Sequence, residues 1–257
     1  MQGLQPRSPK KLPFLPILII LLSEKSYGKK MQRRKVFFFL LGCMSLTNLT
    51  YPLTNQKEWL LPRPSSKGKT SVEEAIFQRK ACRTYQKTPL SLEEISQLLW
   101  AAAGKTIDGI TGPTRSHPSA GGLYPVEIYL VVGNILSFPQ GIYHYQWWNH
   151  SLFLLKEGDF RPILSQMALG QQALVSAPVV CIFTAVYERT TKKYGKRGER
   201  YVPLDIGASA QNMSLQAEAI GLGSVWIGAF DEEKVKKLLE TQDREPLLLL
   251  PLGKTAR

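Results

Sequence analysis

The spacing of hydrophobic residues predicts helices near residues 71–80 and 92–102. In the second helix, apolar side chains three and four positions apart lie on one face: Leu92, Ile95, Leu98, Leu99 and Ala102. Each helix begins with a capping box that satisfies free backbone amides, formed by Ser71 with Glu74 and by Ser91 with Glu94. Further helices are predicted at residues 166–174, 204–220 and 232–240, the long one ending at Gly221.

Apolar runs rich in β-branched and aromatic residues predict the strands. Val126–Val132 and Pro178–Tyr187 are predicted as buried strands, and residues 142–145 and 152–155 as a β-hairpin. Shorter strands are predicted at residues 224–227 and 247–250. Because the hairpin interrupts an otherwise alternating order of strands and helices, the pattern favours an α+β fold over a doubly wound parallel sheet.

The net charge of +13 is concentrated at the N-terminus. Residues 1–70 hold 13 Lys and Arg against 2 Asp and Glu, whereas residues 71–257 hold 20 against 18. Binding of nucleic acid needs a basic face on the folded domain, so this distribution argues against that function. We divide the chain into a basic N-terminal extension, residues 1–57, and a domain comprising residues 58–257.

The extension contains a segment typical of export signals. Arg33 and Arg34 precede the apolar run Val36–Leu41 and resemble a twin-arginine signal, while Leu40–Cys43 resembles a lipoprotein box. Met31 is an alternative start of the chain. We interpret the segment as a signal or membrane anchor; the alternative is a basic tail on a cytoplasmic protein.

Several classes of site lack their sequence signatures. Three cysteines and three histidines are too few and too scattered for a disulfide framework or a metal cluster, so no metal site is predicted. The chain has no P-loop lysine motif, and Gly221-Leu222-Gly223 lacks the third glycine of a dinucleotide-binding fingerprint.

Three segments carry candidate chemistry. On a continuing helix, Arg79 and Arg83 would project from one face and could bind one phosphate, although a solvated turn is the alternative. The glycines of Pro118–Pro125 permit close approach to a flat ligand, or simply make a tight turn. The third segment begins at Asp205 and ends with Gly221–Gly223. These last three residues either expose backbone amides to a ligand or form an ordinary helix end.

In their order and spacing, these segments resemble the flavin-dependent nitroreductase superfamily, in particular its SagB-like branch of thiazoline and oxazoline dehydrogenases. The resemblance covers about residues 58–253 and includes Trp59–Pro62, Leu98–Ala102, Gly141–Tyr145 and Ala185–Thr190. It implies an α+β nitroreductase-like fold, with a central, mainly antiparallel sheet flanked by helices. It also implies an intertwined homodimer that binds FMN at the subunit interface.

The resemblance further implies which residues contact FMN. Arg79 and Arg83 would hold the phosphate, with help from Lys254. Ser119 and Ala120 of the partner chain would contact the flavin ring, and the cofactor-binding residues would also include Lys80, Pro118 and Gly121. Those that present backbone amides to flavin N5 and O4 are Gly221, Leu222 and Gly223. Hydrogen-bond donors in these places stabilise the reduced flavin, which itself carries the hydride.

In the peptide-modifying branch, a Lys-Tyr pair is implicated in removing a proton as hydride leaves for FMN. This sequence offers Lys193-Tyr194, whose neighbouring cation would favour the ionised phenol. The alternative is a solvated basic loop over the entrance to the site.

The sequence therefore predicts an FMN-dependent oxidoreductase of the SagB type, acting on an unidentified small-molecule or peptide substrate. One alternative is an NAD(P)H-dependent nitro or quinone reductase, in which electrons run the other way. Another is a flavin-binding protein without catalytic activity. An exported chain would be separated from ATP-dependent cyclisation enzymes, so the substrate stays open.

Overall fold

A computed structural model of the chain describes residues 58–109 and 112–255. The helices in these residues are α1 (Val72–Gln78), α2 (Leu92–Ala103), α3 (Arg161–Met167), α4 (Gln172–Ser176), α5 (Tyr187–Tyr194), α6 (Arg197–Ala219) and α7 (Glu232–Leu238). The strands are β1 (Glu58–Leu60), β2 (Lys105–Gly109), β3 (Gly112–Arg115), β4 (Val126–Val132), β5 (Gly141–Gln146), β6 (Ser151–Glu157), β7 (Val179–Ala185), β8 (Leu222–Ser224) and β9 (Glu245–Lys254). The predicted extension and its signal segment lie outside the described residues and stay predictions.

Seven of these strands form one sheet in the order β1-β6-β5-β4-β7-β9-β8. Every neighbouring pair in it is antiparallel. Strands β2 and β3 form a separate hairpin that the hydrophobic pattern did not predict. The prediction of an α+β fold with a mainly antiparallel sheet flanked by helices is confirmed.

Helices cover both faces of the sheet because side chains alternate along each strand. On one face, Ile128 and Leu130 of β4 pack in the same apolar cluster as residues of α2 and α6. On the other face, Tyr129 and Val131 pack with residues of α3, α4 and α7. Burial on both faces explains why β4 is an unbroken apolar run apart from Glu127. Within the described ranges, no helix is both long and apolar enough to cross a bilayer.

The ends of the predicted helices differ from those observed. The helix predicted at residues 166–174 is wrong, since α3 ends at Met167 and α4 begins at Gln172. Between them Leu169 and Gly170 have left-handed φ angles of 57° and 73°, which no continuous right-handed helix contains.

The long helix begins earlier than predicted, at Arg197 instead of residue 204, and it contains Pro203. Proline usually marks a helix boundary because it lacks a backbone donor, which is why the prediction started after it. Of the two capping boxes, Ser91 and Glu94 form both reciprocal hydrogen bonds. Ser71 accepts from the Glu74 amide, but the Glu74 carboxylate accepts from the Gln78 side chain instead of completing the box.

Candidate functional site

Arg79 and Arg83 do not lie on a helix, so the predicted helical spacing is wrong. Helix α1 ends at Gln78, and Arg79 has extended backbone angles (φ −57°, ψ 121°). The segment that follows is held against β8, where Ala81 pairs with Ser224 and the Cys82 amide donates to the Ser224 carbonyl at 2.9 Å. Because alternate residues of an extended chain share a side, the two arginines still point to one region.

That region is a cavity of about 380 Å³, within the range of small-ligand sites. It is lined by Arg79, Ala81, Arg83, Gln211, Val225 and Trp226. No residue that the structure describes pairs with either guanidinium by a hydrogen bond or an ion bridge. Two unpaired guanidinium groups in one cavity suit a phosphate or another anion. Lys80 is exposed and does not line this cavity.

Gly221 lies just after the end of α6, and Leu222 and Gly223 begin β8. Gly221 has a left-handed φ of 78° and closes the helix with its amide donating to the Glu218 carbonyl. Leu222 lies opposite Lys254 on β9, so the predicted phosphate-side lysine shares this sheet edge. A β-carbon on Gly223 would lie 2.6 Å from the Cys82 Cβ atom, so glycine here lets the arginine-bearing segment approach β8. Contact of these residues with flavin stays a prediction.

The predicted glycine turn is a tight, internally bonded loop. Ala120–Gly122 form a single 3-10 turn in which Gly121 and Gly122 have left-handed φ angles of 63° and 67°. The Ser119 hydroxyl donates to Asp205 of α6 at 2.5 Å and accepts from the Tyr124 amide at 2.8 Å. Burial raises the pKa of Asp205, while the hydrogen bonds from Ser119 and the Ala120 amide lower it in part. Pro118 is exposed at the start of the turn.

Lys193 and Tyr194 lie directly over this turn. A β-carbon built on Gly121 would be 2.6 Å from the Tyr194 Oη atom and 3.0 Å from the Lys193 Nζ atom. The Lys193 Nζ atom is 5.6 Å from the centre of the Tyr194 ring, which packs edge-on against Tyr201 at 5.2 Å. These residues close helix α5 and are not part of a loop, contrary to the alternative interpretation of the sequence.

The structure thus groups the predicted residues into two sets. Arg79 and Arg83 share a cavity near β8, whereas Lys193 and Tyr194 lie over the glycine turn at Gly121. None of the turn residues 118–121 lines the arginine cavity. A partner chain that contributes its turn would fit this separation, and that arrangement stays a prediction.

Sequence reasoning missed a buried ionic cluster behind the glycine turn. Glu127 of β4 is 5% exposed, and it binds Arg189 of α5 at 2.6 Å and His144 of β5 at 2.9 Å. Burial by itself raises the pKa of Glu127, but the hydrogen bond from His144 and the charge of Arg189 outweigh it and lower the pKa to about 2. A charged residue within the apolar run of β4 was the available signal.

A second buried group beside the turn is His117. Its Nδ1 atom lies 2.9 Å from the Ala102 carbonyl, and among the described residues its Nε2 atom has no partner. Burial, with a smaller contribution from the charge of Arg115, lowers the pKa of His117 to about 4, so the imidazole is neutral at neutral pH.

Comparison with known proteins places the chain in a family. Residues 76–254 match the sequence profile of the nitroreductase family, and the chain belongs to that family. It is 38% identical over 183 residues to "Putative nitroreductase MJ1384" of Methanocaldococcus jannaschii, covering 71% of this chain and 90% of that protein. The solved structure described as a "putative nitroreductase" of Ralstonia eutropha matches with a TM-score of 0.67 and 28% identity, covering 79% of this chain and 92% of that chain.

The relatives also include a SagB-like processing protein. Microcin B17-processing protein McbC of Escherichia coli is 28% identical over 174 residues, which cover 65% of this chain. The matched region spans 63% of McbC. The predicted resemblance to the nitroreductase superfamily and to its SagB-like members is confirmed.

Proposed function

We propose that this chain is an FMN-dependent oxidoreductase that transfers hydride between an unidentified substrate and flavin N5. The observation that carries the proposal is that Arg79 and Arg83 line one cavity beside the Gly221–Gly223 segment, with no ion-pair partner among residues 58–109 and 112–255. Membership of the nitroreductase family supports an oxidoreductase, and the SagB-like relative supports a small-molecule or peptide substrate.

The residues around the cavity fit FMN. Arg79 and Arg83 would hold its phosphate by charge-assisted hydrogen bonds, with Lys254 at the same sheet edge. Gly221 supplies the helix end that the predicted contact to the ring requires. When bound, FMN supplies the hydride acceptor or donor that no side chain can provide.

The second set of residues would handle the proton. Tyr194, as its phenolate, would accept a proton from the substrate at Oη as the substrate loses hydride, so that the substrate gives up one hydride and one proton, two electrons and two protons in all. Lys193, with its Nζ atom 5.6 Å from the Tyr194 ring centre, would stabilise the negative phenolate before it takes up the proton. The same two residues would return the proton if the reaction ran in the reductive direction.

We further propose that a homodimer completes the site. Ser119 and Ala120 would reach the flavin of the partner chain, because their turn is held on α6 away from the cavity of their own chain. The Ser119 hydroxyl is already committed to Asp205 and Tyr124, so its role would be to hold the turn in shape.

A second candidate function is an NAD(P)H-dependent nitro or quinone reductase. The relative that supports it is the Methanocaldococcus protein named as a nitroreductase, which aligns over 90% of its length. Both functions use the same cofactor and differ in the physiological source of electrons.

An absorbance spectrum of the purified chain, with the released cofactor identified chromatographically, tests the proposal. We expect flavin bands near one FMN per chain, and their loss when Arg79 and Arg83 are both changed to Gln. Anaerobic addition of NADPH then separates the two candidates, since stoichiometric bleaching favours the reductase. A colourless protein that also fails to take up added FMN would contradict both.

A further inference from the structure

We propose that Arg189 is a positioning residue for the Lys193–Tyr194 pair. Its guanidinium would fix helix α5, which carries the pair, to the sheet and to the glycine turn at the same time. This inference deepens the proposed function and rests on it, since it assigns the pair a role in the reaction.

Two hydrogen bonds from one guanidinium nitrogen carry the inference. Arg189 Nη1 lies 2.6 Å from the Glu127 Oε1 atom and donates to the Tyr124 carbonyl at 3.0 Å. Arg189 is four residues before Lys193 in α5. This is about one helical turn, so Arg189 fixes the helix to the sheet one turn before the Lys193–Tyr194 pair.

The anchor in the sheet is rigid and permanently charged. Glu127 lies in the central strand β4, and its other oxygen binds His144 Nε2 at 2.9 Å. The Gln146 side chain lies 2.9 Å from His144 Nδ1, which fixes the orientation of the ring. With a pKa of about 2, Glu127 stays a carboxylate at neutral pH, so Arg189 always has a charged partner.

The other bond fixes the turn on which the pair rests. Tyr124 has a left-handed φ of 47°, a costly conformation for a residue with a side chain, so the surrounding contacts must hold it. Its amide donates to Ser119, and its carbonyl accepts from Arg189. The turn then presents Gly121 to Tyr194 and Lys193.

Arg189 therefore links helix α5 and the glycine turn directly. Its guanidinium is bonded to the turn at Tyr124, and its backbone belongs to α5, the helix that ends at Tyr194. The Tyr194 Oη atom in turn lies against Gly121 of the same turn. Without Arg189, helix and turn would lose their common anchor, and misplacement by about 1 Å can lower a rate about 100-fold.

Helix α5 offers a matched control for the loss of one charge. Lys192 forms an exposed ion pair with Glu188 one turn away at 2.9 Å, and its side chain is 73% exposed. Lys192→Gln removes a cation from the same helix without touching the sheet or the turn. Exposed pairs of this kind contribute little to stability, so the fold should be unaffected.

The first measurement follows the ring of Tyr194 by NMR in protein with labelled tyrosines, its signal assigned by Tyr194→Phe. The edge-on contact with Tyr201 makes this signal sensitive to position. We expect the signal to shift or broaden in Arg189→Gln and to stay in place in Lys192→Gln. Arg189→Lys, which keeps the charge on a shorter side chain with a single nitrogen, should give an intermediate change and guards against misfolding of Arg189→Gln. A Tyr194 signal unchanged in both Arg189 variants would overturn the inference.

The second measurement is the rate at which dithionite-reduced flavin passes its electrons to the quinone menadione, which takes up a proton together with the hydride, in both the natural and the Tyr194→Phe background. Positioning predicts a loss of about 10- to 100-fold on Arg189→Gln in the natural background, at unchanged FMN content, and a much smaller loss when Tyr194 is already Phe. Equal losses in both backgrounds would show a merely structural role and overturn the inference. If the natural chain binds no FMN, the proposed function fails, while the NMR signal still decides whether Arg189 positions Tyr194.

Discussion

The cluster around Glu127 and the cavity around Arg79 and Arg83 differ in whether their charges are paired. In the cluster, a buried carboxylate is matched by Arg189 and His144, and the result is a fixed point in the fold. In the cavity, two guanidinium groups face open space, and no described residue neutralises them. Because an unpaired buried charge is costly, the matched set indicates structure. Arg79 and Arg83 are exposed to solvent and need no partner for stability, so it is their convergence on one cavity that indicates a place for an anion.

The largest expected effect comes from breaking the matched set. Glu127→Gln keeps the shape of the side chain but leaves Arg189, whose side chain is 36% exposed, without its countercharge. We expect the free energy of unfolding to fall by about 2–3 kcal/mol, measured by urea denaturation, because the loss of charged hydrogen bonds is softened by the access of water to Arg189. A loss below about 1 kcal/mol would show that the cluster is as weak as a surface ion pair.

The same variant gives a pH dependence with a definite sign. Because the pKa of Glu127 is lowered from 4.5 to about 2 by folding, its contribution is complete above pH 4.5 and is lost as the pH falls towards 2. The difference in stability between the natural chain and Glu127→Gln should therefore be constant near neutral pH and shrink across that acid range. A difference that grows on acidification would contradict the assigned charge state.

Removing the charges of the unmatched set, Arg79 and Arg83, should weaken ligand binding and leave stability almost unchanged. Changing Arg79 and Arg83 together to Gln should weaken FMN binding at least 100-fold, since each charged hydrogen bond contributes about 1.5–3 kcal/mol. Stability without FMN should stay within about 0.5 kcal/mol, because no partner is lost. Fluorescence titration and denaturation measure both quantities. Lys234→Gln, at an exposed pair with Asp231, is the control and should change neither.

A pair of glycine variants tests the contact between the turn and Tyr194. Gly121→Ala and Gly122→Ala both place a side chain at a left-handed φ, so each should cost about 1–2 kcal/mol of stability. Only at Gly121 would the new carbon meet Tyr194 and Lys193, whereas at Gly122 nothing lies within 4 Å. We expect a loss in the rate of menadione reduction by the reduced flavin in Gly121→Ala alone. Equal rates in the two variants would show that the contact is incidental.

The smallest expected effect concerns the attachment of the turn to α6. Ser119→Ala leaves the buried Asp205 with one donor fewer and should lower the free energy of unfolding by about 1–2 kcal/mol in urea denaturation. Ser176→Ala, which removes an exposed hydroxyl with one long bond of 3.4 Å, is the control and should cost less than about 0.5 kcal/mol. Equal losses would show that the bond to Asp205 adds nothing.

Features encoded locally could be predicted from the sequence. The apolar run Val126–Val132 has the predicted bounds, and the hairpin of β5 and β6 was found because buried strands carry their own composition. The prediction failed for Arg79 and Arg83, whose extended conformation depends on pairing with Ser224, distant in sequence. No local pattern encodes such a contact.

The candidate site was predictable to a similar extent. Family resemblance drew attention to Lys193-Tyr194 and to the glycine turn, and the structure brings these two together at Gly121. It included Arg189 within Ala185–Thr190 and Asp205 at the start of the third segment but assigned neither a role, because their roles come from partners on other elements. Glu127 was detectable as the one charge in a buried strand, although its partners were not.

The most direct test of the central claim is a comparison of FMN with riboflavin, which lacks only the phosphate. The cofactor-free protein would be titrated with each, in the natural chain and in the double variant Arg79→Gln/Arg83→Gln. If the two arginines hold the phosphate, the natural chain should bind FMN at least 100-fold more tightly than riboflavin, and the double variant should bind both equally weakly. Equal binding of FMN and riboflavin by the natural chain would contradict the claim.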